Sequence, residues 1–331
     1  MRLATKIAAL FASVEAISLQ QAREHFKMAQ TTQSSRTHSC TATFERLLNT
    51  TDDYTMPQAN FEDVNFPTDD ALFWADAGEE GKDMDQIDHN VTWQRISDPD
   101  FPTRDGYEKT LWGPSRDASS ITPSDMNQGY IGNCWVISAV SAMAEVPGRI
   151  DRIIENEFIS QDGIYALNMY LLGVPFTMII DDKMPMNQWG NTYFGGLGKD
   201  GSVWGAVIEK AFAKYYGAYE HMIGGFMERA VTALNGSPHI DLDYDTPEEL
   251  WELFFAHDEV NDIITAATKN CGSHDESTAS GIACSHAYTV LGTIELDDGT
   301  RLLKIRNPWG AESYTGDWSD ESDKWTQSAR D

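Results

Sequence analysis

The chain has 331 residues, and its 24 Lys and Arg residues against 52 Asp and Glu residues give a formal net charge of −28. Apolar residues make up 41% of the sequence and aromatic residues 11%, which excludes a wholly disordered chain. So acidic a surface repels phosphate backbones, and it disfavours nucleic acid as a partner. No apolar stretch reaches the roughly 20 residues that a membrane span needs, so we predict no integral membrane span.

The first 20 residues favour a signal peptide. A basic start at Arg2 and Lys6 precedes an apolar run over residues 7–14, which is the layout of a secretory signal. An amphipathic helix is the alternative, and Glu15 weakens the signal-peptide interpretation. We expect a secreted or endolysosomal protein if residues 1–20 are a signal peptide, and a cytoplasmic protein otherwise. Residues 21–58 are rich in Gln, Thr and Ser, and they are predicted to form an N-terminal tail.

Residue patterns predict regular structure in five places after an extended, proline-containing strap over residues 97–127. The predictions are a helix over 134–145, two strands within 163–182, a helix over 203–216, and strands over 287–294 and 301–306. Helical patterns dominate the first part of the chain and strand patterns the last. We therefore predict an α+β protein with a helical lobe over residues 59–235 and a β-rich lobe over residues 236–331.

The segment Gln128–Trp135 carries the first chemical signal. Cys134 follows two glycines and opens a predicted helix, where unpaired N–H groups and the helix dipole favour a thiolate. Gln128 is close enough in sequence to direct its side-chain N–H to the same point, where it and the Cys134 backbone N–H can form an oxyanion hole. Taken alone, however, a buried cysteine is more often a small core residue than a nucleophile.

Two later segments supply the partners that a nucleophilic cysteine needs. His286 precedes an apolar strand, which is a rigid mount for a general base. Asn307 ends the next predicted strand, and its side-chain oxygen can hold one imidazole nitrogen so that the other faces the thiol. Trp309 is predicted to cover that hydrogen bond and exclude water. Each residue alone has a structural explanation, but the order Cys, His, Asn between Gly and Trp residues argues against coincidence.

These three segments, Gln128–Trp135, His286–Tyr288 and Arg306–Gly310, resemble the active-site segments of the calpain family of cysteine peptidases. The similarity extends over about residues 60–325, with further matching segments at 61–63, 66–67, 91–95, 180–185, 209–214 and 316–320. The Asn-Pro-Trp sequence, and the absence of a cysteine just before Gly132, separate the chain from the papain family, which shares the same catalytic logic. Asn133 departs from the family, because an acidic residue usually precedes the nucleophile.

The resemblance implies a papain-like core of two lobes with the active-site cleft between them. Cys134 would lie on the helical lobe, and His286 and Asn307 on the β-rich lobe. The implied activity is that of a thiol endopeptidase acting on proteins and peptides, with no cofactor required for the chemistry. The alternative is a catalytically inactive homologue that binds peptides or proteins in the same cleft. All three catalytic positions are intact, which argues against that alternative.

The resemblance also implies calcium, because calpain cores usually bind one ion in each lobe to bring the lobes into register. Asp125 and Asp320 match family ligands, but Pro123 replaces an Arg that ties the two sites together, and Ser313 stands where a Glu is expected. Calcium takes roughly 6–8 oxygen ligands. We therefore expect the second-lobe site to be absent or weak, the first-lobe site to be possible, and activity to depend less on calcium than is usual in the family.

The other cysteines are Cys40, Cys271 and Cys284. In a secreted protein Cys271 and Cys284 can close a short loop as a disulfide, whereas in a cytosolic protein both should be free. Two unrelated thiols are an equally open alternative. A structural disulfide at Cys134 would contradict its catalytic assignment.

Overall fold

The computed structural model describes residues 61–68, 91–103, 106–115, 120–269, 278–311 and 314–326. The predicted signal peptide and the N-terminal tail lie outside the described residues, as do Cys40, Cys271 and Ser313.

Within the described residues the chain forms four α-helices and seven β-strands. In chain order they are β1 (Thr92–Arg95), α1 (Cys134–Met143), β2 (Ile164–Leu171), β3 (Val174–Asp181), β4 (Lys183–Met186), α2 (Trp204–Tyr216), α3 (Met227–Asn235), α4 (Pro247–Asp258), β5 (Thr265–Ala267), β6 (Ala287–Glu295) and β7 (Arg301–Arg306). This mixture of helix and sheet matches the predicted α+β class. None of these helices combines the length and the apolar character needed to cross a bilayer.

The strands form three small antiparallel sheets, β1–β4, β2–β3 and β5–β6–β7. The predicted hairpin within residues 163–182 is confirmed as β2–β3, which pairs Ile164 with Asp181 and Leu171 with Val174. Its two-residue turn has positive φ at both Leu172 and Gly173, a conformation that matches the twist of the flanking strands. The predicted helices α1 and α2 and the predicted pair β6–β7 are also confirmed.

Five elements were not predicted from the sequence, namely the paired strands β1 and β4, helices α3 and α4, and strand β5. Helix α4 lies in the part of the chain that was predicted to be rich in strands. Its start is marked by Thr246, whose hydroxyl accepts a hydrogen bond from the Glu249 N–H at 3.2 Å, and by Pro247 in the first turn. A threonine cap followed by proline is a helix-start signal. The short strands β1 and β5 carry too few residues to show a periodic pattern.

The largest hydrophobic cluster surrounds α1 and α2, and every residue of α1 is buried. Small residues such as Ser138, Ala139 and Ala142 allow neighbouring elements to approach the α1 backbone closely. One such neighbour is β6, from which the Thr289 hydroxyl donates a hydrogen bond of 2.8 Å to the Ser138 carbonyl. The helix that begins at Cys134 is therefore packed directly against the sheet that follows His286.

Two buried ion pairs connect the segment at residues 61–66 to α2 and β3. Lys214 contacts Asp63 at 2.6 Å, Lys210 contacts Asp181, and the Asp63 N–H donates to Asp181 at 3.0 Å. The side chains of all four residues are almost completely buried. Burial lowers the pKa of both lysines, and the adjacent carboxylates oppose that shift. Removing one member would leave a buried charge without its partner, at a cost of about 3–5 kcal/mol.

Candidate active site

Cys134 is the first residue of α1 and carries a free, buried thiol. Burial raises the pKa of this thiol, and backbone N–H groups of Ala287, Trp135 and Cys134 itself oppose the rise. This upward shift of the pKa is opposite to the sequence prediction, in which the helix N-terminus favours the thiolate. The reason is that desolvation of the sulfur outweighs the effect of the nearby N–H groups. The contact with Ala287 places the thiol beside the start of β6, directly after His286.

The His286 side chain is buried and is held between aromatic rings. Its Nε2 atom lies 3.0 Å from Oδ1 of Asn307, so that a protonated Nε2 donates a hydrogen bond to the amide oxygen. The Trp309 ring lies 4.4 Å from the imidazole centroid to centroid, and the Tyr288 ring meets it edge-on at 5.0 Å. With Nε2 directed to Asn307, Nδ1 is the ring nitrogen that can serve the thiol.

The backbone before His286 is fixed by several contacts. The His286 N–H donates to the Thr268 hydroxyl at 2.9 Å, and Ser285 has a φ of 50°, which a non-glycine residue seldom adopts. Cys284 is disulfide-bonded, so of the alternatives that the sequence left open at this position the disulfide applies and the free thiol does not. The imidazole thus stands on a constrained stretch of chain.

Asn307 accepts two hydrogen bonds through the same side-chain oxygen. One comes from the imidazole of His286, and the other comes from the Trp309 N–H at 3.0 Å. The Trp309 bond turns the chain back after Pro308, which brings the indole over the imidazole. The Trp309 ring thus contacts the imidazole, whereas the predicted exclusion of water from the His286–Asn307 hydrogen bond stays a prediction.

Gln128 lies in a loop over residues 126–131, which we call the Gln128 loop. Its backbone N–H donates to the Pro308 carbonyl at 2.9 Å, and its side-chain Nε2 donates to the Ile131 carbonyl at 2.7 Å. An amide nitrogen has two hydrogens, so one remains for a developing oxyanion. Gly129 is required for close packing, because a Cβ atom there would lie 2.0 Å from the Phe194 carbonyl oxygen.

Asp125 and Asp320, which the resemblance assigns to calcium, lie in different surroundings, and a calcium role for either stays a prediction. Both carboxylate oxygens of Asp125 accept hydrogen bonds from Thr122, one from its N–H at 2.7 Å and one from its hydroxyl at 2.8 Å. Asp320 is exposed. In the part of the chain that the structure describes, no group of three or more His, Cys, Asp or Glu side chains is arranged to hold a metal ion.

Glu209 is a residue near Cys134 to which sequence reasoning gave no role. It is completely buried on α2 and accepts hydrogen bonds from Asn133 Nδ2 at 2.7 Å and from the Gly195 N–H at 2.6 Å. Burial raises the pKa of Glu209 to about 7. Asn133 occupies the N-cap position of α1 immediately before the nucleophile, and its side chain makes no capping hydrogen bond there. An amide at that position gives the buried carboxylate a donor, whereas the acidic residue usual in the family would face it with a second carboxyl.

Arg306, directly before Asn307, is a second residue to which sequence reasoning gave no role. Its guanidinium donates to the Met126 carbonyl, to Oδ1 of Asn127 at 3.1 Å and to the Ser141 hydroxyl at 3.2 Å. The sequence signal was available, because Arg306 belongs to the segment that resembles the calpain active site.

The chain is similar to known proteins over most of its length. A family model described as calpain family cysteine protease matches residues 61–331. The calpain-type cysteine protease ADL1 of Oryza sativa subsp. japonica is 30% identical over 279 residues, which cover 82% of this chain and 12% of the relative. Human calpain-14 is 31% identical over 214 residues, covering 61% of this chain and 30% of the relative. Mouse calpain-5 is 30% identical over 297 residues, covering 80% and 43% respectively.

A cysteine protease is the class of protein that the family match defines. Within that class, the chain belongs to the calpain family. It spans between 12% and 43% of the length of the three relatives described above.

Proposed function

We propose that this chain is a calpain-like thiol endopeptidase that hydrolyses peptide bonds in proteins through Cys134, His286 and Asn307. The observation that carries the proposal is the 3.0 Å contact between His286 Nε2 and Asn307 Oδ1, on the backbone whose Ala287 N–H meets the Cys134 thiol. A nucleophile, a base and a group that orients the base are the three components that nucleophilic catalysis requires.

In the proposed reaction, His286 Nδ1 takes the proton of the Cys134 thiol as the sulfur attacks the scissile carbonyl carbon. Because burial disfavours an isolated thiolate, the charge is stabilised by the imidazolium that forms with it. The second Nε2 hydrogen of Gln128 and the Cys134 backbone N–H stabilise the oxyanion. The imidazolium then protonates the leaving amine. Water, deprotonated by His286, hydrolyses the thioester and restores the thiol.

Asn307 and Trp309 support the imidazole in this proposal. Asn307 holds Nε2 and so directs Nδ1 to the sulfur, while Trp309 shields the hydrogen bond between Asn307 and His286 from water. The proposed arrangement places the helical lobe, residues 59–235, and the β-rich lobe, residues 236–331, on either side of a substrate cleft. The substrates are proteins and peptides, and the high negative charge disfavours nucleic acid.

The alkylation rate of Cys134 tests the proposal directly. Iodoacetamide labelling of the full chain is followed by mass spectrometry as a function of pH, in the parent and in His286→Ala. The parent should be labelled at about pH 6, roughly two units below the pKa of an ordinary thiol. In His286→Ala labelling should move to high pH, because burial then acts on the thiol without a proton acceptor. Identical pH profiles in the two proteins would contradict the assigned pair.

Hydrolysis of fluorescent casein distinguishes the enzyme from the inactive homologue, with Cys134→Ser as the matched control. The parent should cleave casein and the serine variant should not. A parent that is labelled at low pH and binds peptides, but cleaves nothing, would instead support the inactive peptide-binding homologue.

A further inference from the structure

Arg306 joins the strand before Asn307 to two separate parts of the chain. Its guanidinium reaches the Gln128 loop through the Met126 carbonyl and the Asn127 side chain, and it reaches α1 through Ser141. Its partners in the Gln128 loop, Asn127 and Met126, lie 179 and 180 residues from Arg306 in sequence. A planar guanidinium presents several donors in a rigid fork, so a single side chain can fix three acceptors at once.

Burying the charged guanidinium of Arg306 costs free energy, which indicates that the arrangement serves a purpose other than stability. Burial lowers the pKa of Arg306 to about 10, with the charge of Asp125 opposing the shift, so the guanidinium stays protonated at neutral pH. Among the described residues, the hydrogen-bond partners of the Arg306 guanidinium are three uncharged oxygens. A partly desolvated cation held by neutral acceptors is a poor source of folding stability. The positions in which the guanidinium holds its three acceptors therefore say more about its role than its contribution to stability does.

Two further contacts hold the Gln128 loop against the segment after β7. The Gln128 N–H donates to the Pro308 carbonyl at 2.9 Å. Gly310 leaves space for Asn127, because a Cβ atom at position 310 would lie 2.1 Å from Asn127 Oδ1. The same five-residue segment, Arg306–Gly310, thus contacts His286 through Asn307 and the Gln128 loop through Arg306.

We propose that Arg306 is a positioning residue for the oxyanion hole, holding the Gln128 loop so that the Gln128 amide faces the reacting carbonyl. The inference rests on the proposed thiol peptidase function and deepens it. One short segment of chain aligns two parts of the machinery, since Asn307 orients the base and Arg306 sets the oxyanion donor.

A double-mutant cycle between Arg306 and Gln128 tests the role. Loss of one oxyanion donor costs about 10²–10³-fold in kcat, and we expect Gln128→Ala to fall in that range. Arg306→Ala should lose a similar factor, and Arg306→Ala/Gln128→Ala should lose little more than either single variant. Arg301→Ala is the matched control, because Arg301 lies on the same strand but is exposed, and its guanidinium contacts Glu252, Glu295 and the Trp251 ring rather than the Gln128 loop. Its kcat should equal that of the parent.

Two readouts separate positioning from a general structural effect. Alkylation of Cys134 by iodoacetamide needs the thiol and the base but no oxyanion hole, so its rate in Arg306→Ala should match the parent. Millimolar guanidinium should restore part of the peptidase activity of Arg306→Ala, whereas equal concentrations of urea or ammonium should not.

If circular dichroism shows that Arg306→Ala does not fold, Arg306→Lys replaces it in these experiments. It keeps the charge but not the fork, and we expect reduced kcat with unchanged alkylation.

Additive losses in the cycle, or alkylation that falls in parallel with kcat, would overturn the positioning role. So would an Arg306→Ala enzyme as active as Arg301→Ala. These results leave the peptidase assignment intact, because the parent still cleaves casein. A parent that is alkylated but cleaves nothing would overturn both proposals together.

Discussion

Replacing Glu209 by Gln changes the pH dependence of stability in a direction that the structure fixes. Burial raises the pKa of Glu209 from 4.5 to about 7. Between these two values the folded protein binds a proton that the unfolded chain has released, so the free energy of unfolding falls as pH rises. Because of this pKa difference, the free energy of unfolding of the parent falls by about 3 kcal/mol between about pH 4.5 and pH 7.5.

The Glu209→Gln variant lacks this titration, and its amide places a second donor opposite either the Gly195 N–H or the Asn133 amide. We therefore expect the variant to be less stable than the parent at pH 4.5. The difference in free energy of unfolding between the two proteins should shift by about 3 kcal/mol in favour of the variant by pH 7.5. Because all other titrating groups are shared, the difference between the two proteins isolates residue 209.

Urea unfolding followed by tryptophan fluorescence measures this gap at several pH values, in a Cys134→Ala background that prevents self-digestion. Glu248→Gln on the exposed first turn of α4 is the matched control, and its stability should follow that of the parent at every pH. A stability gap for Glu209→Gln that stays constant from pH 4.5 to pH 7.5 would refute the argument that burial dominates the carboxyl.

Further substitutions examine the catalytic assignments. Cys134→Ser should abolish casein hydrolysis and leave the circular dichroism spectrum unchanged, because a hydroxyl is a far weaker nucleophile than a thiol. His286→Ala should be as damaging as loss of the thiol, whereas Asn307→Ala removes the hydrogen bond that orients His286, worth about 1–3 kcal/mol, and should cost about 10–100-fold in kcat/KM. The reverse order would show that the two roles are wrongly assigned. Peptidase rates in excess chelator and in millimolar calcium should differ little, and a saturable activation that is lost in Asp320→Ala would contradict this.

Elements with a strong local pattern could be predicted from the sequence. The alternating strands of the β2–β3 hairpin, the small apolar residues of α1 and the spaced apolar residues of α2 each depend on neighbours within one element. The order of Cys134, His286 and Asn307 was equally informative, because each residue type carries a distinct chemical role.

What the sequence could not provide is the pairing of distant polar groups. Asn133 and Glu209 are 76 residues apart, and neither has a periodic pattern that identifies the other as its partner. Asp125 shows a local contact beside a predicted role. Its position relative to Cys134 predicts a calcium ligand, and in the structure each of its carboxylate oxygens also accepts a hydrogen bond from the nearby Thr122. A threonine three residues before an acidic side chain is a capping pattern, and local chemistry of that kind can explain such a residue without an ion.

The ion pairs that join residues 61–66 to α2 and β3 have an evolutionary consequence. A single substitution at Asp63, Asp181, Lys210 or Lys214 leaves a buried charge without its partner, whereas a coordinated apolar replacement of a whole pair need not be harmful. Intermediates on the way from one arrangement to the other are therefore selected against. Among related chains, these four positions should be kept or exchanged as pairs, and a homologue that retains only one member should carry a compensating change beside it.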